Sequence, residues 1–100
     1  MKIRFLSIAL QEVHDAIDYY EKADPGLGLR FMGEFRNSVE RIRTHPRAWA
    51  KLSRHTYRCR TKVFPYGVIY QIRKDEILVV AVMHMSKERN YWKNRIILQD

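Results

Sequence analysis

Residues 57–72 read "YRCRTKVFPYGVIYQI", and the way this stretch is laid down decides the fold. Its first half alternates. Tyr57, Cys59, Thr61 and Val63 share one parity, and Arg58, Arg60 and Lys62 share the other. In an extended chain, successive side chains point to opposite faces. The spacing therefore predicts a strand over about 54–63 with three cations on its solvent face and the other parity turned inward. Pro65 interrupts, and "YGVIYQIR" at 66–73 predicts a second strand. After "KDE", the run "ILVVAVMH" at 77–84 is apolar throughout, as expected of an interior strand buried on both faces.

Working toward the N-terminus, Leu10, Val13, Ile17 and Tyr20 follow a 3-4-3 spacing, the apolar stripe of a helix with Ser7 placed to cap it. "DPGLG" at 24–28 ends this helix, because Asp24 precedes a proline and Gly26 and Gly28 allow a tight turn. Met32, Phe35, Val39 and Ile42, with Phe31 beside them, repeat the stripe, and Pro46 stops it. "KIRFLS" alternates and predicts a short first strand. In "SKERNYWKNRIILQD" at 86–100, Trp92, Ile96 and Ile97 would anchor a short final helix. The expected order is β-α-α-β-β-β with a short C-terminal helix. This is an α+β fold, with an antiparallel helical hairpin packed on a small, mainly antiparallel sheet. One hundred residues suit a single domain over 1–100.

Composition narrows the function. The net charge is +8, and it is uneven: residues 1–50 hold eight Lys/Arg against seven Asp/Glu, residues 51–100 eleven against four. A basic half implies an anionic partner, nucleic acid or acidic protein. No apolar run approaches the ~20 residues that span a bilayer, so no membrane association is expected. "MKIRFLSIAL" is followed too quickly by Glu12 and Asp15 for a signal peptide, and a cytoplasmic location is expected. Cys59 is the single cysteine and reads as a small buried strand residue. The four histidines, at 14, 45, 55 and 84, are scattered without carboxylates at ligand spacing. No metal and no cofactor are expected.

Four segments in order, "YYEKADPGLGLRF" (19–31), "THPRAW" (44–49), "YRCRTKVFPYGVIYQI" (57–72) and "AVMHMSKERNYWKNR" (81–95), resemble the RelE/ParE superfamily of toxins, also called plasmid stabilisation proteins. The "PGLG–F", "FPY–I–Y" and "AV–H–YW–R" pieces are similar to its ParE-like branch. The resemblance implies a toxin of a type II toxin–antitoxin system, neutralised by direct binding of a cognate antitoxin. ParE-like members poison DNA gyrase, whereas RelE-like members cut mRNA on the ribosome. On the RelE-like pattern, Arg58 and Arg60 fall at its two basic strand positions. Lys87 is the nearest match to a later arginine, and Tyr91 is a rough match to its tyrosine. Gly67 stands where a further arginine is expected.

Three readings follow. The first is a protein-binding gyrase poison held by its antitoxin. The second is a ribosome-dependent mRNA endonuclease, with Arg60, Lys87, Tyr91 and His84 carrying the chemistry. The third is a non-toxic family member that only binds antitoxin. Whether the chain is an enzyme stays open between them. The expected antitoxin- or target-binding surface comprises Arg58, Arg60, Lys62, Lys87, Arg89, Tyr91 and Trp92. His84 is either a general base or a packing histidine at a strand end.

Overall fold

The computed structural model describes residues 1–88 and 90–97, with Ile97 described for its backbone alone. Arg89 and residues 98–100 lie outside the described residues. The elements are β1 (Lys2–Phe5), α1 (Ser7–Ala23), α2 (Leu27–Thr44), β2 (Ala50–Lys51), β3 (Thr56–Arg60), β4 (Tyr66–Arg73), β5 (Glu76–His84) and α3 (Lys93–Ile97). The strands form one sheet in the order β1-β5-β4-β3-β2. Among the described residues, only β1, paired with β5, is parallel. The α+β hairpin-on-sheet architecture is the expected one, with β2 as a two-residue addition at the edge.

The helices cover one sheet face. Ala9, Val13 and Ala16 of α1 and Phe31, Phe35 and Ile42 of α2 meet Tyr57, Cys59, Val68, Tyr70, Ile77, Val79 and Val82. The buried stripe of α1 is shifted from the expected one: Leu10 is 42% exposed, and the small Ala9 and Ala16 are buried in its place. Alanines let the helix sit close to the sheet, a role that apolar spacing alone does not reveal. Ser7 opens α1 but forms no capping hydrogen bond; Leu6 is the N-cap residue.

The hairpin turn is held from an unexpected side. The Glu21 carboxylate accepts the backbone N–H groups of Gly26 (3.0 Å) and Gly28 (3.0 Å), so α1 caps the start of α2. Gly26 has φ 91°, a left-handed geometry that glycine adopts without strain. Gly28 is a close approach: a Cβ there would lie 2.7 Å from the Ile17 carbonyl oxygen.

A second, smaller core lies on the opposite face. Ile69, Leu78, Val80, Ala81 and Met83 pack there against Trp92 and Ile96 of the C-terminal segment. Burial on both faces explains the unbroken apolar run of β5. A bulge adjusts its parity: the register steps from Ile69↔Ala81 to Tyr70↔Val79, leaving Val80 unmatched. Val80 and Ala81 consequently both join the second core, while Val82 returns to the helix side.

β3 is shorter than the spacing suggested. The backbone N–H groups of Leu52 and Ser53 both donate to the Thr56 carbonyl, which closes a turn before it. After it, the Thr61 hydroxyl donates to the Phe64 carbonyl, and Glu34 of α2 accepts the Val63 N–H at 2.9 Å. The chain is bent there, so Val63 is 69% exposed rather than inward, and Lys62 lies beyond the strand.

Candidate functional site

Arg58 and Arg60 point to the sheet face opposite the helices, as expected from their parity with inward Tyr57 and Cys59. They differ in setting. Arg60 is exposed, and its carbonyl accepts from Arg41 Nη2 at 3.0 Å, which ties the end of β3 to α2. Arg58 is half-buried. Its aliphatic stem lies across Gly67, where a Cβ would sit 3.1 Å from Arg58 Cγ and Cδ and 3.2 Å from Met85 Sδ. The missing side chain at Gly67 is therefore filled by the arginine of the neighbouring strand. Arg58 Nε is buried without a hydrogen-bond partner among the described residues. The guanidinium lines a groove of about 450 Å³ with Lys51, Ser53, Asn90, Trp92 and Lys93. Lys62 is exposed in the bend after β3, so the three cations do not form one strand row.

The residues after β5 are organised by Glu12 of α1. Beyond Phe5, β5 has no strand partner on its β1 side among the described residues. Glu12 and Arg95 fill that gap. Glu12 Oε1 accepts the Val82 N–H at 3.0 Å, and Arg95 Nη1 donates to the Val80 carbonyl at 2.9 Å. Arg95 also grips Glu12, Nη1 to Oε1 at 2.8 Å and Nη2 to Oε2 at 3.1 Å, and the Tyr91 hydroxyl donates to Oε2 at 2.6 Å. Burial, then the hydrogen bond to the Glu12 carboxylate, pushes the Tyr91 hydroxyl well above the ordinary tyrosine value. Arg95 and Lys87 both sit over the Tyr91 ring. This latch holds Trp92, only 4% exposed, in the second core. No periodicity marks Glu12, because one i+1 step separates it from the buried Val13.

His84 faces the helix side with Glu12, Asp15, Tyr19, Tyr66 and Lys87 around a shallow cleft. Its ring meets Tyr66 edge-on at 5.2 Å. The Ser86 backbone N–H donates to Nδ1 at 3.0 Å, so the neutral ring carries its proton on Nε2 and presents no free lone pair. His84, Lys87 and Tyr91 thus gather at one end of β5 beside α1. Arg60 lies on the other sheet face. The Tyr91 hydroxyl is committed to a carboxylate, and Gly67 offers no side chain. The four residues of the endonuclease reading do not converge on one point. Trp92 is a core residue here, whereas Arg60, Lys62 and Lys87 remain exposed.

Cys59 is buried, and burial raises its thiol pKa, the setting of an inert packing residue. His14, His45 and His55 are exposed and separate. Among the described residues, no helix is long and apolar enough to cross a membrane.

A small α+β domain with a cationic sheet face and a helical hairpin behind it is the architecture of a known class of toxin. Residues 3–89 match the family described as "ParE toxin of type II toxin-antitoxin system, parDE", and the chain belongs to that family. It is a toxin of a type II toxin–antitoxin system. Among solved structures, a chain of the chromosomal ParDE toxin–antitoxin system from P. aeruginosa superposes with a TM-score of 0.75 at 12% identity. The match covers 86% of this chain and 97% of that one, and it establishes the shared fold. No curated protein matches the sequence.

Proposed function

We propose that this toxin acts in the cytoplasm by binding DNA gyrase and blocking its cycle, and that a cognate antitoxin neutralises it by direct contact. The observation that carries this reading is the scattering of the cutting constellation. Ribonucleolytic cleavage needs a base, an acid and cationic stabilisation of the phosphate around one scissile bond. Arg60 and His84 lie on opposite sheet faces, and Tyr91 is held by Glu12. A poison that works by occupying a protein surface needs no such convergence. The match to a ParE toxin family agrees with the ParE-like resemblance, which implies gyrase as the target.

The antitoxin is expected to lay an acidic segment along exposed Arg60 and Lys62, toward Lys87 beyond the end of β5 at the same end of the sheet. Induction of the toxin without antitoxin, followed by primer extension on cellular mRNA, separates the two mechanisms. Growth arrest with unchanged mRNA 5′ ends and DNA breaks trapped with gyrase supports the proposal. New 5′ ends within translated codons overturn it in favour of endonuclease action.

A further inference from the structure

Five cations of the second half of the chain gather with Arg47 in one place, of which only Arg58 belongs to the expected antitoxin- or target-binding surface. Two adjoining concavities share Lys51 as a wall. One, about 370 Å³, lies among the loop before β2, the β2–β3 turn and the β4–β5 turn, and takes Arg47, Arg54 and Lys74. The other is the groove of Arg58 and Lys93. Among the described residues, no carboxylate lines either concavity. None of these six cations makes an ion pair among the described residues, and Arg58 Nε is buried without a partner. The concavity that adjoins at Lys74 holds Asp75 and Glu76, and Glu76 is engaged by Arg4 at 2.8 Å.

Like charges held this close repel one another, so a surface of this kind is stabilised by a polyanion. The aromatics beside the track are not available as stacking platforms: Tyr57 is 7% and Trp92 4% exposed. Single-stranded nucleic acid is gripped chiefly by such stacking. Duplex DNA instead offers a dense, regular row of phosphates and needs no stacking partner. We infer that the track from Arg47, Arg54 and Lys74 past Lys51 to Arg58 and Lys93 binds the phosphate backbone of duplex DNA without sequence preference. The inference stands apart from the choice of target, although a toxin working on gyrase meets duplex DNA there.

The test is fluorescence anisotropy of a labelled duplex of about 25 base pairs with purified full-length toxin and no gyrase. If about four phosphates are neutralised, affinity falls about a hundredfold between 50 and 200 mM salt. The variant R47E/R54E/K74E should lose more than thirtyfold at 50 mM salt. A control reversing three exposed helix-side charges, K22E/R30E/R36E, should lose less than threefold, with thermal melting verifying that both variants are folded. Equal losses from both variants would reduce the effect to net charge and overturn the inference. So would absent binding at 50 mM salt, or poly-glutamate competing as well as unlabelled duplex, which would mark the track as a seat for acidic protein. Gyrase inhibition by R47E/R54E/K74E is read separately, so either proposal can fail alone.

Discussion

Replacing Glu12 tests whether one carboxylate holds the C-terminal segment onto the sheet. Four donors converge on it: Val82 N–H, Tyr91 Oη, and Nη1 and Nη2 of Arg95. The Arg95 and Glu12 side chains are 14% and 19% exposed, so solvent screens the pair only in part. Breaking a fully buried pair costs about 3–5 kcal/mol, because the remaining charge is left unpaired. Partial exposure places Glu12→Ala near the lower end, about 3 kcal/mol. For a domain of this size, that lowers Tm by roughly 12–24 °C. Glu12→Gln keeps an acceptor for Val82 but loses the charge, and should cost about half as much. Thermal and denaturant unfolding give the stabilities. Trp92 emission, read in a Trp49→Phe background, reports the tail directly and should shift to the red as the indole leaves the second core. A double-mutant cycle with Arg95→Ala should return a coupling of about 1–2 kcal/mol. A Tm within about 3 °C of the parent together with unchanged Trp92 emission would refute the latch.

Three further outcomes follow from the same geometry. Gly28→Ala should destabilise by about 1–3 kcal/mol, since its Cβ would meet the Ile17 backbone oxygen at 2.7 Å, whereas Gly33→Ala, with nothing within 4 Å, should stabilise by about 0.5–1 kcal/mol; denaturant midpoints decide both signs. Tyr91 has a folded pKa raised above the unfolded value near 10.0, so its neutral form contributes stability that is intact below pH 10 and lost as pH rises above it. Melting measured from pH 9 to 11 should fall less steeply in Tyr91→Phe, and identical slopes would contradict the buried hydroxyl–carboxylate pair. Cys59 should stay unreactive toward a thiol reagent in the native protein and titrate as one thiol after denaturation; rapid native labelling would contradict its burial.

The elements that the sequence made legible are those with simple periods. The β4 segment begins and ends where the apolar run does, and the stripes of α1 and α2 placed the hairpin on the sheet. The features that escaped depend on contacts between distant residues. The bulge at Val80 breaks a strict alternation from within, in a run too uniformly apolar to betray it. Glu34 and Thr61 bend the chain after Arg60, so the row of three cations ends at two. Glu12 and Arg95 are 83 residues apart and resemble ordinary surface charges until β1 ends and leaves the upper edge of β5 open between them. The candidate site was legible as charge and not as geometry. The basic parity of Arg58 and Arg60 was readable, but the filling of the Gly67 position by the Arg58 stem was not.

The most direct test of the account is gyrase supercoiling with purified toxin carrying Arg60→Ala, His84→Ala and Lys87→Ala together, at toxin well above gyrase. If the toxin acts by occupying gyrase, supercoiling stays blocked and cleaved DNA remains trapped, while added antitoxin rescues the parent toxin's reaction more readily than the variant's. Full supercoiling with the parent toxin, alongside mRNA cleavage that the triple variant abolishes, would contradict it.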